Sequence, residues 1–190
     1  TTVNNQGSGS GIDGTYANGP VLNQGALFVG GVTSVQFDGI NDVITIPDSA
    51  LINTGTYDER TVELVFNADT TAGRQVLWEE GGGTNALTIY IDNGSIYFNA
   101  RDAGDWGPFT INASINAGQT YHAAIVLDQP NGELRGYLDG NLVGTGAVTI
   151  PLSSHSGDIG IVGMVQANYY HDGAQSGDGN YFQGRMSDVA

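Results

Sequence analysis

The stretch Ala86-Leu87-Thr88-Ile89-Tyr90-Ile91-Asp92, then Asn93-Gly94, then Ser95-Ile96-Tyr97-Phe98 leaves the chain little choice of fold. Two runs rich in β-branched and aromatic residues flank Asn-Gly, the pair that most readily supplies the positive φ angles of a type I′ turn. That is a β-hairpin. The same grammar recurs along the chain. Thr120–Asp128 leads through Pro130-Asn131-Gly132 into Glu133–Leu138, and Asp139-Gly140-Asn141 turns the chain again into Leu142-Val143. In Thr61–Phe66 the residues Val62, Leu64 and Phe66 fall on one face, with Thr61 and Glu63 on the other. No long 3.6-residue period and no internal repeat competes with this pattern. Many antiparallel strands with regular turns predict an all-β antiparallel sandwich.

A chain of 190 residues is long enough for one well-buried domain and short for two. Its 30 glycines and nine tyrosines suit a turn-rich β domain. The opening Thr1–Gly11, rich in Gly, Ser and Asn, reads as a linker or domain boundary, and residues 12–190 as the domain. No basic segment followed by an apolar one marks a signal peptide at the start. The apolar runs, such as Ala123–Leu127, are strand-sized and well short of the ~18 residues of a membrane helix, so direct membrane insertion is not expected.

Twenty acidic residues against five arginines and no lysine give a formal charge of −15. Binding to nucleic acid or to anionic membranes needs clustered cations and is disfavoured. The acidity serves solubility, or ligates Ca²⁺, or both. The absence of cysteine excludes disulfides, thiolate metal sites and cysteine nucleophiles. In so acidic a chain it suggests a bacterial surface or secreted protein.

Two motifs give the pattern a family. Phe37-Asp38-Gly39-Ile40-Asn41-Asp42 runs into Val43-Ile44-Thr45-Ile46-Pro47, and Tyr137-Leu138-Asp139-Gly140-Asn141-Leu142-Val143-Gly144 follows about a hundred residues later. With Gly14-Thr15-Tyr16, Tyr121-His122-Ala123-Ala124 and the closing Phe182–Val189, they resemble the laminin-G-like, concanavalin-A-like lectin domain. The resemblance extends to ligand-binding domains of large bacterial adhesins of the RTX type. It implies a jelly-roll β-sandwich that binds glycans or proteins, often through calcium, with ligand loops converging at one end.

Three loops carry residues for such chemistry. Glu79 and Glu80 precede Gly81-Gly82-Gly83 and Asn85; glycines let backbone carbonyls approach an ion and carboxylates supply charge. The bland alternative is a hairpin loop with solvated acids. Asp102, Asp105 and Trp106 lie among glycines, where an aromatic ring can stack on a sugar face or can plug the sandwich edge. Tyr169–Tyr181 gathers Tyr170, His171, Asp172, Asp178 and Asn180 in a glycine-rich stretch read as an irregular loop. It is neither an EF-hand nor a Gly-Gly-x-Gly-x-Asp calcium roll. Asp38, Asp42 and Asp139 read as turn formers, and His122 as a satisfied core histidine.

The expected site has Glu79, Glu80, Asp102, Asp172 and Asp178 holding Ca²⁺ at the sandwich rim. Asn85, Asp105, Trp106, Tyr170, His171 and Asn180 contact the sugar. The partners expected are cell-surface or matrix glycans, met by one domain of a larger extracellular bacterial chain. A peptide-binding module and a calcium-rigidified spacer are the rivals. No enzyme is expected. The related β-glucanases carry their carboxylates as E-x-D-x-(x)-E on one strand, which is absent here, and adjacent Glu79 and Glu80 would face opposite ways. Gly-x-Ser-x-Gly and His-Glu-x-x-His are also absent.

Overall fold

The computed structural model describes residues 1–3 and 12–190; residues 4–11, within the stretch read as a linker, lie outside the described residues. In chain order the strands are β1 (Thr2–Val3), β2 (Gly14–Ala17), β3 (Val21–Gln24), β4 (Ser34–Asp38), β5 (Val43–Ile46), β6 (Glu59–Ala68), β7 (Arg74–Gly81), β8 (Ala86–Asp92) and β9 (Ser95–Arg101). They continue as β10 (Ile111–Ser114), β11 (Thr120–Asp128), β12 (Glu133–Leu138), β13 (Asn141–Ala147), β14 (Ile159–Ile161), β15 (Ala167–Tyr170), β16 (Gly173–Ser176) and β17 (Gln183–Ser187). One sheet runs β1-β2-β5-β14-β7-β8-β9-β10, the other β13-β12-β11-β6-β17-β4-β3, and β15-β16 form a separate two-stranded ribbon. Thr2 and Val3 pair with Thr15 and Gly14, so the first residues belong to the sheet edge.

The alternation read from sequence builds the core. Val62, Leu64 and Phe66 of β6 face Ile96, Phe98 and Ala100 of β9 in one buried cluster. Asn93 and Gly94 take φ of 46° and 91° at the hairpin between β8 and β9, as their residue types require. Asp38 caps its own turn by accepting from the Ile40 amide at 2.8 Å, whereas Asp139 ties its turn to β11 by accepting from the His122 amide at 2.9 Å. Among the described residues no helix is long and apolar enough to cross a membrane.

Two expectations change. His122 does not join the core. Its neighbours Tyr121 and Ala123 point inward, so the two-residue period turns His122 outward to Glu63 at 3.1 Å. Tyr169–Tyr181 is not irregular throughout. Tyr169 and Tyr170 end one strand of the β15-β16 ribbon, which pairs Ala167 with Ser176 and Tyr170 with Gly173.

Candidate functional site

The ribbon lies on the outer face of β7, β8 and β9, and it creates the main cluster of chemistry-bearing side chains. Outward-facing Tyr90 and Val76 pack with Tyr170 and Met164 in a small second core. Tyr170 meets Tyr90 edge-on, with ring centroids 4.8 Å apart. At the ribbon's turn, His171 stacks on Tyr97 at 4.3 Å and its Nδ1 bonds the Tyr90 hydroxyl. Burial raises the Tyr90 and Tyr170 phenols above their ordinary range, so both stay protonated.

Arg74 organises the charges. Register places it opposite Asp92 on β8. Its Nη2 donates to Asp92 at 2.5 Å and to Asp172, across from the ribbon, at 2.7 Å. The guanidinium also lies 4.5 Å from the Tyr170 ring centroid. Burial alone would pull its pKa down; the bonds to Asp172 and Asp92 outweigh that and hold it above its usual value. In turn, Arg74 holds the Asp172 carboxyl below the usual carboxylate range. Arg74 opens onto a polar cleft of about 310 Å³, walled also by Thr70, Asn180 and Tyr181. The Asn180 amide donates to the Tyr170 hydroxyl at 3.2 Å, which leaves its oxygen for a ligand.

The structure separates the five acids offered for calcium. Glu79 and Glu80 are fully buried, on opposite faces of β7. Neither the loop ligand nor the solvated acid expected of them is realised. Glu79 accepts from the Val165 amide at 2.9 Å, and burial drives its pKa well up. Glu80 meets Arg60 at 2.7 Å, yet burial still pushes it up to about 8 against that partner. Asp102 is buried as well and accepts from the Ser153 amide at 2.6 Å. Only Asp172 and Asp178 reach solvent.

Among the described residues the one group of three metal-capable side chains is Asp92, His171 and Asp172, with ligand atoms within 4.8 Å of one another. Arg74 already bonds both carboxylates, and an imidazole is a poor partner for an ion that prefers oxygen. This donor set does not fit Ca²⁺.

Trp106 plugs the sandwich edge. It is buried, its indole N–H donates to the Ile150 carbonyl at 2.9 Å, and it stacks on Phe109 at 5.9 Å. That corrects its assignment as a sugar-stacking residue. Asn85 is a clasp between loops: its oxygen accepts from the Ala103 amide at 3.1 Å and its nitrogen donates to the Ser154 carbonyl at 3.3 Å. Three loops meet around Asn85, with buried Asp102 bonded to Ser153 among them; the Tyr169–Tyr181 segment instead gathers around Arg74. Asp105 is exposed beside it, while buried Tyr170 supports the cluster from beneath. His171 and Asp172 do come together with Asp92, and Asn180 joins Arg74 in the cleft.

Sequence reasoning missed Arg74, Asp92, Tyr97 and Tyr181. Arg74 had a signal, as one of five cations in the chain. The hairpin register also put Asp92 opposite it.

The two-sheet sandwich, with a polar cleft beside Arg74, leads to the family. The chain belongs to the concanavalin A-like lectin/glucanases superfamily, whose laminin-G-like family model matches residues 38–190. No curated protein sequence matches it significantly. Three solved structures show the shared fold. Domain 4 of AbnA, a GH43 extracellular arabinanase from Geobacillus stearothermophilus in complex with arabinotriose, has a TM-score of 0.57 at 14% identity, over 93% of this chain and 80% of that one. A botulinum neurotoxin type C structure, described as entering cells through interaction with two ganglioside molecules, has a TM-score of 0.65 at 11% identity, over 94% of this chain and 44% of that one. Domains LG4-5 of the mouse laminin alpha1 chain give 0.59 at 16% identity, over 82% and 39%. This chain spans less than half the length of the last two.

Proposed function

We propose that this domain recognises glycans without catalysis, through the cleft beside Arg74, as one module of a larger extracellular chain. The observation that carries the reading is Arg74, which walls the cleft with Asn180 and Tyr181 and carries Asp172 as its ion-pair partner. Vicinal sugar hydroxyls both donate and accept. Asp172, with its side chain 50% exposed, can accept from one hydroxyl while Arg74 donates to its neighbour. Asn180 adds an amide oxygen, and the Tyr181 ring offers a face to sugar C–H groups. Two of the structural relatives are described with sugar ligands, arabinotriose and gangliosides. Calcium has no part in this arrangement, because the cation is Arg74.

The charges also argue against hydrolysis. A glycosidase needs one carboxyl group protonated near neutral pH beside one ionised. Asp172 is held below its ordinary range by Arg74, while the carboxyls that burial pushes upward, Asp42, Glu79 and Glu80, are all buried away from a substrate. With one ion pair and few polar groups at the ligand, single-site affinity is weak and several copies per chain supply avidity.

The test is a glycan array probed with and without EDTA, using the wild type and Asp172→Ala. Binding that survives EDTA and falls at least ~10-fold in the variant, about 1.4 kcal/mol, is the expected result. Binding unchanged by Asp172→Ala would reject the Arg74–Asp172 pair as the sugar-binding element. A strict calcium requirement would return the ion-bridged lectin and reject the metal-free site.

A further inference from the structure

The opposite outer face carries a second concavity. The chain between β3 and β4 folds across β6 and β11, and a cleft of about 480 Å³ opens beneath it. Its floor is Val65, which faces outward from β6 yet is buried. Leu27 and Phe28 supply apolar walls, while His122 and Asp139 stand at the polar margin. The volume lies within the ~300–1,000 Å³ range of ligand pockets.

Above the cleft the covering segment exposes its own apolar side chains. Phe28 is 45% exposed, Val29 103% and Val32 59%. Three such residues within five positions form a contiguous lip, and exposed apolar patches of this kind mark interaction surfaces. The margin is acidic. Glu63 lies two residues before Val65 on the same face of β6 and holds His122 at 3.1 Å, with half of its own side chain in solvent. Asp139 is exposed, one oxygen bound to the His122 amide.

We infer that this cleft is a second binding site, which takes an apolar side chain flanked by cations, as a segment of a basic polypeptide offers. Charge selects the occupant. A second copy of this chain brings another formal charge of −15 and is repelled, as is an anionic lipid surface. A leucine flanked by arginines fills the Val65 floor with its side chain and reaches Glu63 and Asp139 with its cations. The Arg74 cleft has the opposite character, polar within and built around a cation, so the two sites take different ligands.

The experiment is a titration of the ¹⁵N-labelled domain, followed by amide chemical shifts. Two probe peptides are used, one with leucine between two arginines, the other with glutamates in place of the arginines. The expected result is shift changes confined to Leu27, Phe28, His122 and Asp139 with the arginine peptide alone. Affinity should fall at least tenfold in Phe28→Ser and severalfold in Glu63→Gln, both exposed positions whose replacement leaves the spectrum folded. Equal shifts from both peptides, no localised shifts, or shifts only with phosphatidylcholine vesicles would each overturn the proposal.

Discussion

The two outer faces of the sandwich start from the same alternation and end differently. Outside β7–β9, the ribbon adds a third layer. It buries Tyr90 and Tyr170 completely and fixes Arg74 between two carboxylates. Outside β6 and β11 much of the surface stays open. There His122 and Glu63 meet at 3.1 Å with side chains 41% and 48% exposed. The roofed face holds polar groups whose geometry is set before any ligand arrives, so binding there loses little ordering entropy. The open face keeps its side chains free and its apolar lip in water. Recognition chemistry thus depends less on which residues a strand carries than on whether a further layer immobilises them.

The largest test of that contrast is the ribbon's anchor. Tyr170→Ala should cost about 3–5 kcal/mol in urea unfolding, as loss of a buried aromatic does. Tyr137→Ala, outward on β12, should stay within about 0.5 kcal/mol. Equal costs would mean that the ribbon is decoration.

Next in size is the pH response of the acids under and beside the roof. Glu79 and Glu80 have folded-state pKa values raised by burial, Glu80 to about 8 from an ordinary 4.5. Raised values mean that the folded state holds the protons more tightly. Glu80's contribution is full below pH 4.5 and is lost as pH climbs through 8, and Glu79's is lost in the same direction. The melting temperature should therefore be at least ~3 °C higher at pH 5.5 than at pH 8.5, an energy of about 1 kcal/mol at this size. Glu79→Gln should flatten the slope, whereas Glu63→Gln on the open face should leave it unchanged.

Asp172→Asn comes third. The Asp172 side chain is half in solvent, so its stability cost should stay under about 1 kcal/mol by chemical denaturation. The Asp172 pKa is depressed, so glycan binding should persist at pH 5 and fade only in stronger acid, as pH drops through the folded value. Smallest is Glu63→Gln, whose exposed pair with His122 should be worth no more than about 0.5 kcal/mol.

The fold was legible because alternation and turn chemistry are local: Val62, Leu64 and Phe66 need no distant information to choose a face. His171, Asp172 and Asn180 were legible as a polar-aromatic run. Glu79 and Glu80 misled because a strand end followed by three glycines looks like a loop entrance. What buries them comes from far along the chain, Val165 over Glu79 and Arg60 beside Glu80. Trp106 misled for a similar reason, since its partner carbonyl is 44 residues away, at Ile150. Arg74 was passed over because its role depends on a ribbon 98 residues later in the chain.

Arg74 also decides when the site comes into being. It sits on a strand hydrogen-bonded on both sides, to β8 and β14. A dissociable ion must find a finished cavity and can be lost on dilution. A guanidinium anchored in the sheet arrives with the strand itself. The cluster is then assembled in the same event that folds the domain, and no later loading step limits how soon a newly made chain can bind.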